Sequence, residues 1–242
     1  MSSSSNQLRA IITGASSGIG KATSLTFAKA GIHLALVSRS LDQLEAVAQA
    51  AKSQGVEAKA YGIDLSQLPT IPAKVQEIIA DFGSIDIIVN NAGMGYTNSL
   101  NQTSLADWQQ VIDLNLTSVF QCVKGVLSQM RDRKKGTIIN VASIAATQAF
   151  PGWGAYCVSK AGLVSFSKVL AAEERSNGIR VMTIAPGAVN TPIWDTDSVQ
   201  ADFDRAAMLT PELVAQTILQ AALLPAGAVI EEMTILPSAG TL

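Results

Sequence analysis

Charge is scarce in this chain. Only 15% of its 242 residues are Asp, Glu, Lys or Arg, against roughly 25% in an ordinary soluble domain, and 17 basic side chains nearly balance 19 acidic ones. Such a balance offers no basic patch for nucleic acid. Histidine occurs once, as His33, and cysteine twice, as Cys122 and Cys157. So few ligands exclude a Cys/His zinc centre, and no metal is expected. Two cysteines make no disulfide framework, which points to a reducing, cytoplasmic compartment. His33 lies inside an apolar run, a poor place for the base of a Ser-His-Asp triad. No window reaches the roughly 18 unbroken apolar residues of a membrane span; the longest runs, 32–37 and 85–89, are strand-sized. The opening Met-Ser-Ser-Ser-Ser-Asn-Gln has no apolar stretch behind a basic end and does not read as a secretory signal. Residues 1–7 are expected to form a disordered polar tip. A disordered chain as a whole is excluded, because 48% of residues are hydrophobic and the net charge is only −2.

What the sequence does have is alternation. Short apolar runs at 10–13, 33–38, 57–61, 85–89, 137–142, 180–185 and 233–236 are separated by amphipathic stretches at 19–30, 41–53, 71–82, 105–131, 155–176 and 211–223. Several runs are β-branched and apolar on both faces, as in Ile-Asp-Ile-Ile-Val at 85–89, the pattern of strands buried on both faces of a parallel sheet. Alternating βα units with right-handed crossovers give a Rossmann-like, doubly wound α/β fold, with a seven-stranded parallel sheet and helices on both faces. Gly31, Gly55, Gly83 and Gly178 stand where helices should stop, and Pro72 and Pro211 suit first helical turns. Residues 8–242 read as one domain. Its longest connection, 187–209, is long enough to be a functional lid and carries Trp194 and Phe203.

Chemistry-bearing residues cluster at the predicted carboxyl ends of the strands. Residues 13–20 read Thr-Gly-Ala-Ser-Ser-Gly-Ile-Gly. A Cβ-free turn between strand and helix brings backbone N–H groups and a helix N-terminus to a pyrophosphate, so Gly14, Ser16, Ser17, Gly18, Ile19 and Gly20 form a candidate cradle. The same glycines also suit a tight turn with close helix–strand packing. Ser38 and Arg39 end the second strand where an acidic side chain would bind ribose hydroxyls. A guanidinium there accommodates a 2′-phosphate, favouring NADP(H) over NAD(H). Asp64, with Leu65 beside it, is a candidate acceptor for the adenine amino group. Asn91, Ala92 and Gly93 follow the fourth strand and leave room for a cofactor. Tyr156 and Lys160 share a helix face, and Ser143 lies just past the fifth strand. Together they suit carbonyl reduction or its reverse: Ser143 bonds the carbonyl oxygen, and Tyr156 passes a proton while Lys160 and an oxidised nicotinamide favour its phenolate. Phe150, Trp153 and Trp194 are candidate walls of a hydrophobic substrate pocket, alongside Ser143 and Tyr156.

These motifs, in this order and spacing, resemble the classical short-chain dehydrogenase/reductase family from about Leu8 to Leu236. The resemblance rests on 13–20, Asp64, Asn90 to Gly93, Asn115, Ser143, Tyr156-Cys-Val-Ser-Lys160, and Pro186-Gly187 followed by Thr191. It implies that Asn115 completes a catalytic tetrad by holding a water beside Lys160. It also implies that Lys160 and Tyr156 contact the nicotinamide ribose, that Asn91 lies along the cofactor, and that Pro186, Gly187, Val189 and Thr191 line the nicotinamide. The expected activity is an NADPH-dependent carbonyl reductase or alcohol dehydrogenase acting on ketones, aldehydes or 3-oxo/3-hydroxy compounds. A homo-oligomer is expected because the 155–176 helix is apolar or small all round, and the resemblance implies a tetramer ahead of a dimer, with the 105–131 and 155–176 helices pairing between subunits. One alternative is a 3-oxoacyl-acyl-carrier-protein reductase whose basic cluster (Arg131, Arg133, Lys134, Lys135 and the more distant Arg175) meets an acidic carrier. The segment Met233-Thr-Ile-Leu-Pro-Ser238 departs from the Asp-Gly-Gly ending usual in that subgroup. Another alternative is a non-catalytic NADP-sensing scaffold, which would be free to lose Ser143, Tyr156 or Lys160.

Overall fold

The computed structural model describes residues 7–201 and 204–240. Of the sequence expectations, the polar tip (but for Gln7) and Phe203 lie outside the described residues. Seven strands form one sheet: β1 (Arg9–Thr13), β2 (His33–Ser38), β3 (Ala58–Gly62), β4 (Ile87–Asn90), β5 (Gly136–Val141), β6 (Ile179–Pro186) and β7 (Glu232–Ile235). Their order is β3-β2-β1-β4-β5-β6-β7, and every pairing is parallel. Order reverses between β1 and β4, so a crevice opens beyond their carboxyl ends, where doubly wound sheets bind ligands.

Period-two alternation sends successive side chains to opposite faces. Ala10, Ile12, Leu34, Leu36, Ile139 and Ile184 pack into one apolar layer, and Ile11, Ala35, Val37, Ile88, Ile138 and Val181 into the other. Helices α1 (Gly18–Lys29) and α2 (Leu41–Lys52) contribute to the first layer and α3 (Ile71–Phe82) to the second. Pro72 sits in the first turn of α3, as expected. All four helix-stop glycines take positive φ. His33 is a structural residue: its Nδ1 accepts the Glu57 backbone N–H at 2.8 Å.

The stretch expected as one helix over 105–131 is interrupted. Helix α4 (Leu105–Ile112) passes through a π-turn (Asp113–Thr117) into α5 (Ser118–Asp132). The Ser118 N–H reaches the Asp113 carbonyl, five residues back, while its hydroxyl takes the Leu114 carbonyl at 2.6 Å. The extra residue leaves the apolar periodicity on either side intact, so sequence alone does not display it. Helix α6 (Gly154–Glu174) follows β5, and α7 (Pro211–Ala222), with Pro211 in its first turn, precedes β7. Among the described residues, no helix is long and apolar enough to cross a membrane.

Candidate active site

Two cavities meet at the carboxyl end of the sheet. The larger, about 460 Å³, runs from Ser38 and Arg39 past Gly14, Ser16, Ser17, Gly18 and Ile19 to Asn91, Ala92, Gly93, Lys160 and Thr191. The smaller, about 150 Å³, is walled by Ser143, Phe150, Trp153 and Trp194. Tyr156 lines both.

The glycine turn is shaped by contacts that forbid side chains. Gly14 has φ +65°, and a Cβ there would lie 2.9 Å from the Ala92 Cα. Gly18 has φ +50°, with Thr191 against it. The neighbouring loop is tied to this turn: the Thr13 hydroxyl accepts the Asn91 and Ala92 backbone N–H groups at 3.0 and 3.1 Å. The Asn91 amide donates to the Thr13 carbonyl at 3.0 Å. Turn and loop therefore hold each other in the geometry of an open cradle at the start of α1, whose N-terminal Ser17 makes no side-chain cap. That arrangement suits a pyrophosphate, with Arg39 at the far end for a 2′-phosphate.

Five residues expected to contact the cofactor do not line the larger cleft. Gly20 is buried within α1, where a Cβ would come 2.2 Å from the Gly14 carbonyl oxygen, so it serves packing rather than lining. Pro186, Gly187 and Val189 line the smaller cavity rather than the cleft. Asp64 is exposed and off the cleft wall, although Leu65 lines it. The Ser66 backbone N–H and hydroxyl, with the Arg39 charge adding to them, hold the Asp64 carboxyl below its ordinary range.

At the junction, the Ser143 and Tyr156 side chains line the same pocket, and the Ser143 hydroxyl acts on the Tyr156 phenol. Ser143 also caps a short 3₁₀ turn (Ile144–Ala146), accepting the Ala145 N–H at 3.1 Å. Burial raises the Tyr156 phenol above its ordinary value, and the Ser143 hydroxyl partly opposes that rise. Lys160 is buried; its ammonium donates to the Val141 carbonyl at 3.0 Å and lies 5.7 Å from the Tyr156 ring centroid. Desolvation lowers its pKa to about 8.

Asn115 arrives from the π-turn. Its Oδ1 accepts the Met94 N–H at 2.8 Å, while its Nδ2 donates to the Met94 carbonyl at 3.0 Å and to Ser159 Oγ at 3.1 Å. The Ser159 hydroxyl in turn donates to the Tyr156 carbonyl at 2.7 Å. This amide is engaged with scaffold through both its oxygen and its nitrogen. Reading residue types did not single out Ser159, Met94 or Gln110. Ser159 does sit inside the Tyr156–Lys160 motif, one turn from the phenol, and that position was the available signal.

The 187–209 connection folds over the junction. The Thr97 N–H donates to the Ser198 carbonyl at 2.9 Å, the Ser198 hydroxyl to the Gly95 carbonyl at 2.9 Å, and the Gln200 N–H to Thr97 Oγ1 at 2.7 Å. Arg205 braces its base through Asn190, Asp195 and the Thr191 carbonyl. The basic cluster considered for a carrier protein lies at the opposite end of the sheet. Arg133 and Lys135 pair with Asp86 just before β4, Arg131 with the buried Glu174, and Arg175 with Glu231. Among the described residues, no group of three His, Cys, Asp or Glu converges as metal ligands would.

A family model described as short chain dehydrogenase matches residues 9–201. A 3-oxoacyl-[acyl-carrier-protein] reductase from Synechocystis is 37% identical, over 93% of each chain. A sepiapterin reductase from Chlorobaculum tepidum is 32% identical, over 95% of this chain and 96% of that protein. The crystal structure of an alcohol dehydrogenase from the archaeon Thermococcus sibiricus, complexed with 5-hydroxy-NADP, superposes with a TM-score of 0.89. It is 27% identical and covers 98% of this chain and 99% of its own.

Proposed function

The chain belongs to the short-chain dehydrogenase family, and from that premise we propose that it is an NADPH-dependent carbonyl reductase in which Tyr156 supplies the proton. It is an NADP(H)-binding oxidoreductase acting on carbonyl and alcohol groups. The observation that carries the catalytic assignment is the place of Tyr156, on the shared wall of a nucleotide-shaped cleft and an aromatic pocket. Gly14, Ser16, Ser17, Gly18, Asn91 and Arg39 would hold the cofactor, with Pro186 to Thr191 closing its reactive end. NADPH, when bound, supplies the hydride.

Ser143 orients the substrate carbonyl, and Tyr156 passes its proton to the oxygen as negative charge develops there. Lys160 holds positive charge beside the resulting phenolate. Asn115 keeps the π-turn, the 90–94 loop and α6 in register. The same geometry runs in reverse for an alcohol. The likeness to the Synechocystis protein favours a carrier-bound substrate as the second reading, but the basic cluster gives it no support, being remote from the site and already ion-paired. Phe120, Val158 and Val169 leave apolar surface exposed on α5 and α6, which supports self-association, a tetramer ahead of a dimer. The free thiols Cys122 and Cys157 suit a cytoplasmic setting.

The direct test is consumption of NADPH absorbance with a panel of ketones, aldehydes and diketones. Turnover of at least one is expected, and none would overturn the proposal. The pH profile carries a further expectation. Below about 8 Lys160 is charged, and the raised Tyr156 is protonated, as reduction requires. Carbonyl reduction should therefore hold through neutral pH and decline as pH climbs past about 8, when Lys160 loses its proton. A rate constant up to the ordinary lysine value of 10.5 would remove Lys160 from the proton transfer.

A further inference from the structure

We propose that the substrate is a neutral, compact ketone with a flat apolar body, cyclic or aryl, rather than an oxo acid or an acyl thioester. The inference rests on the reductase reading above and specifies what its smaller cavity accepts.

No Lys, Arg, His, Asp or Glu lines that cavity, and its side-chain polar groups are the hydroxyls of Ser143, Tyr156 and Thr191 together with the indole N–H groups of Trp153 and Trp194. Ser143 and Tyr156 are assigned to the reacting carbonyl. The Trp194 N–H is engaged, donating to the Val189 carbonyl at 2.7 Å, and neither indole carries a charge. A carboxylate or phosphate entering here would lose water and meet no counter-charge, which is costly.

Shape agrees with polarity. The Trp153 ring meets Tyr156 edge-on at 5.4 Å and 69°, and Trp194 at 5.8 Å and 67°. Two edge-to-face contacts and the indole hydrogen bond set these rings as fixed walls directly beside the proton donor, and such walls favour an aromatic or planar ring over a flexible chain. A cavity of about 150 Å³ is the size that holds one benzene-like ring, so an extended acyl chain would leave most of its length outside it.

The approach carries the third argument. Residues 187–209 contain four aspartates (195, 197, 202 and 204) against the single Arg205, and that guanidinium is already bound to Asn190, Asp195 and Thr191. Asp195, Asp197 and Asp204 are exposed. The segment that brings Trp194 to the cavity is thus net acidic, which disfavours anionic substrates and an acidic carrier protein alike.

The test compares initial rates of the wild-type enzyme with NADPH and four probes: 1-phenylpropane-1,2-dione, cyclohexanone, acetoacetate and acetoacetyl coenzyme A. The expected result is a kcat/KM for the two neutral ring ketones about tenfold or more above that for either anionic probe. Trp194→Ala should then raise KM for the phenyl diketone about tenfold with a smaller change in kcat, as expected for loss of a wall that binds ground and transition states alike. Equal or better turnover of acetoacetate or the thioester overturns this inference and leaves the reductase reading standing. Absence of NADPH oxidation with every probe overturns the reductase reading and this inference with it.

Discussion

Tyr156→Phe should lower carbonyl turnover by about 10² to 10⁴-fold, the range general acid catalysis supplies, while NADPH still binds. The substitution removes one oxygen and little else. The ring keeps its edge-on contact with Trp153 and its place beside the Lys160 ammonium, and Ser143 keeps the Ala145 N–H. The cradle at Gly14 to Ile19 and the Arg39 end of the cleft do not involve the phenol. Steady-state turnover at saturating NADPH, read beside cofactor affinity from nicotinamide fluorescence, separates the two effects. Unchanged turnover would remove Tyr156 from the chemistry. Equal loss of turnover and binding would make it a structural residue. A protein that only senses the nucleotide would show full binding and no turnover before the substitution as well as after it.

Arg39→Ala is expected to weaken NADPH by about tenfold to a hundredfold and NADH hardly at all. Charge-assisted hydrogen bonds contribute about 1.5–3 kcal/mol each, and only the 2′-phosphate makes them here. The exposed Asp64 carboxylate is held ionised and feels the Arg39 charge. Without the guanidinium, that carboxylate faces the same region uncompensated, which adds repulsion to the lost attraction. The ratio of kcat/KM values for the two cofactors is the measurement. An equal fall for both would show that Arg39 shapes the cleft without reading the phosphate.

The sheet was legible because a parallel strand buried on both sides leaves little choice of residue: Ile11 and Ile12 face opposite layers and both must be apolar. Strand and helix limits fall within two residues of expectation, apart from the π-turn. The cradle was legible for a similar reason, since Gly14 and Gly18 occupy positions where a side chain is excluded by backbone or by Thr191. What composition and spacing concealed were contacts between distant polar residues of ordinary type. Nothing in Asn115 marks its amide as the partner of Met94, 21 residues away, and nothing in Ser198 announces Gly95. Asp64 is expected to accept from the adenine amino group, but a short polar side chain after a strand also satisfies the next turn, and here its Oδ1 accepts the Ser66 N–H at 3.0 Å, a contact that residue type alone does not display. The resemblance implies that Pro186 and Gly187 line the nicotinamide, and in the structure the end of β6 delivers them to the wall of the smaller cavity, beside the reactive end of the cleft.

The segment laid across the junction has a kinetic meaning. Its three hydrogen bonds to residues 95–97 are all of a kind that water replaces readily, each contributing about 0.5–1.5 kcal/mol net. Together they contribute about 2–4 kcal/mol, to which the burial of Val199 against Gly95 adds, so the unlatched form is a minor state. Loop motions of this sort run on microsecond to millisecond scales. A strap fastened at its tip in this way admits and releases small molecules while the sheet and the Arg205 brace at its base stay in place.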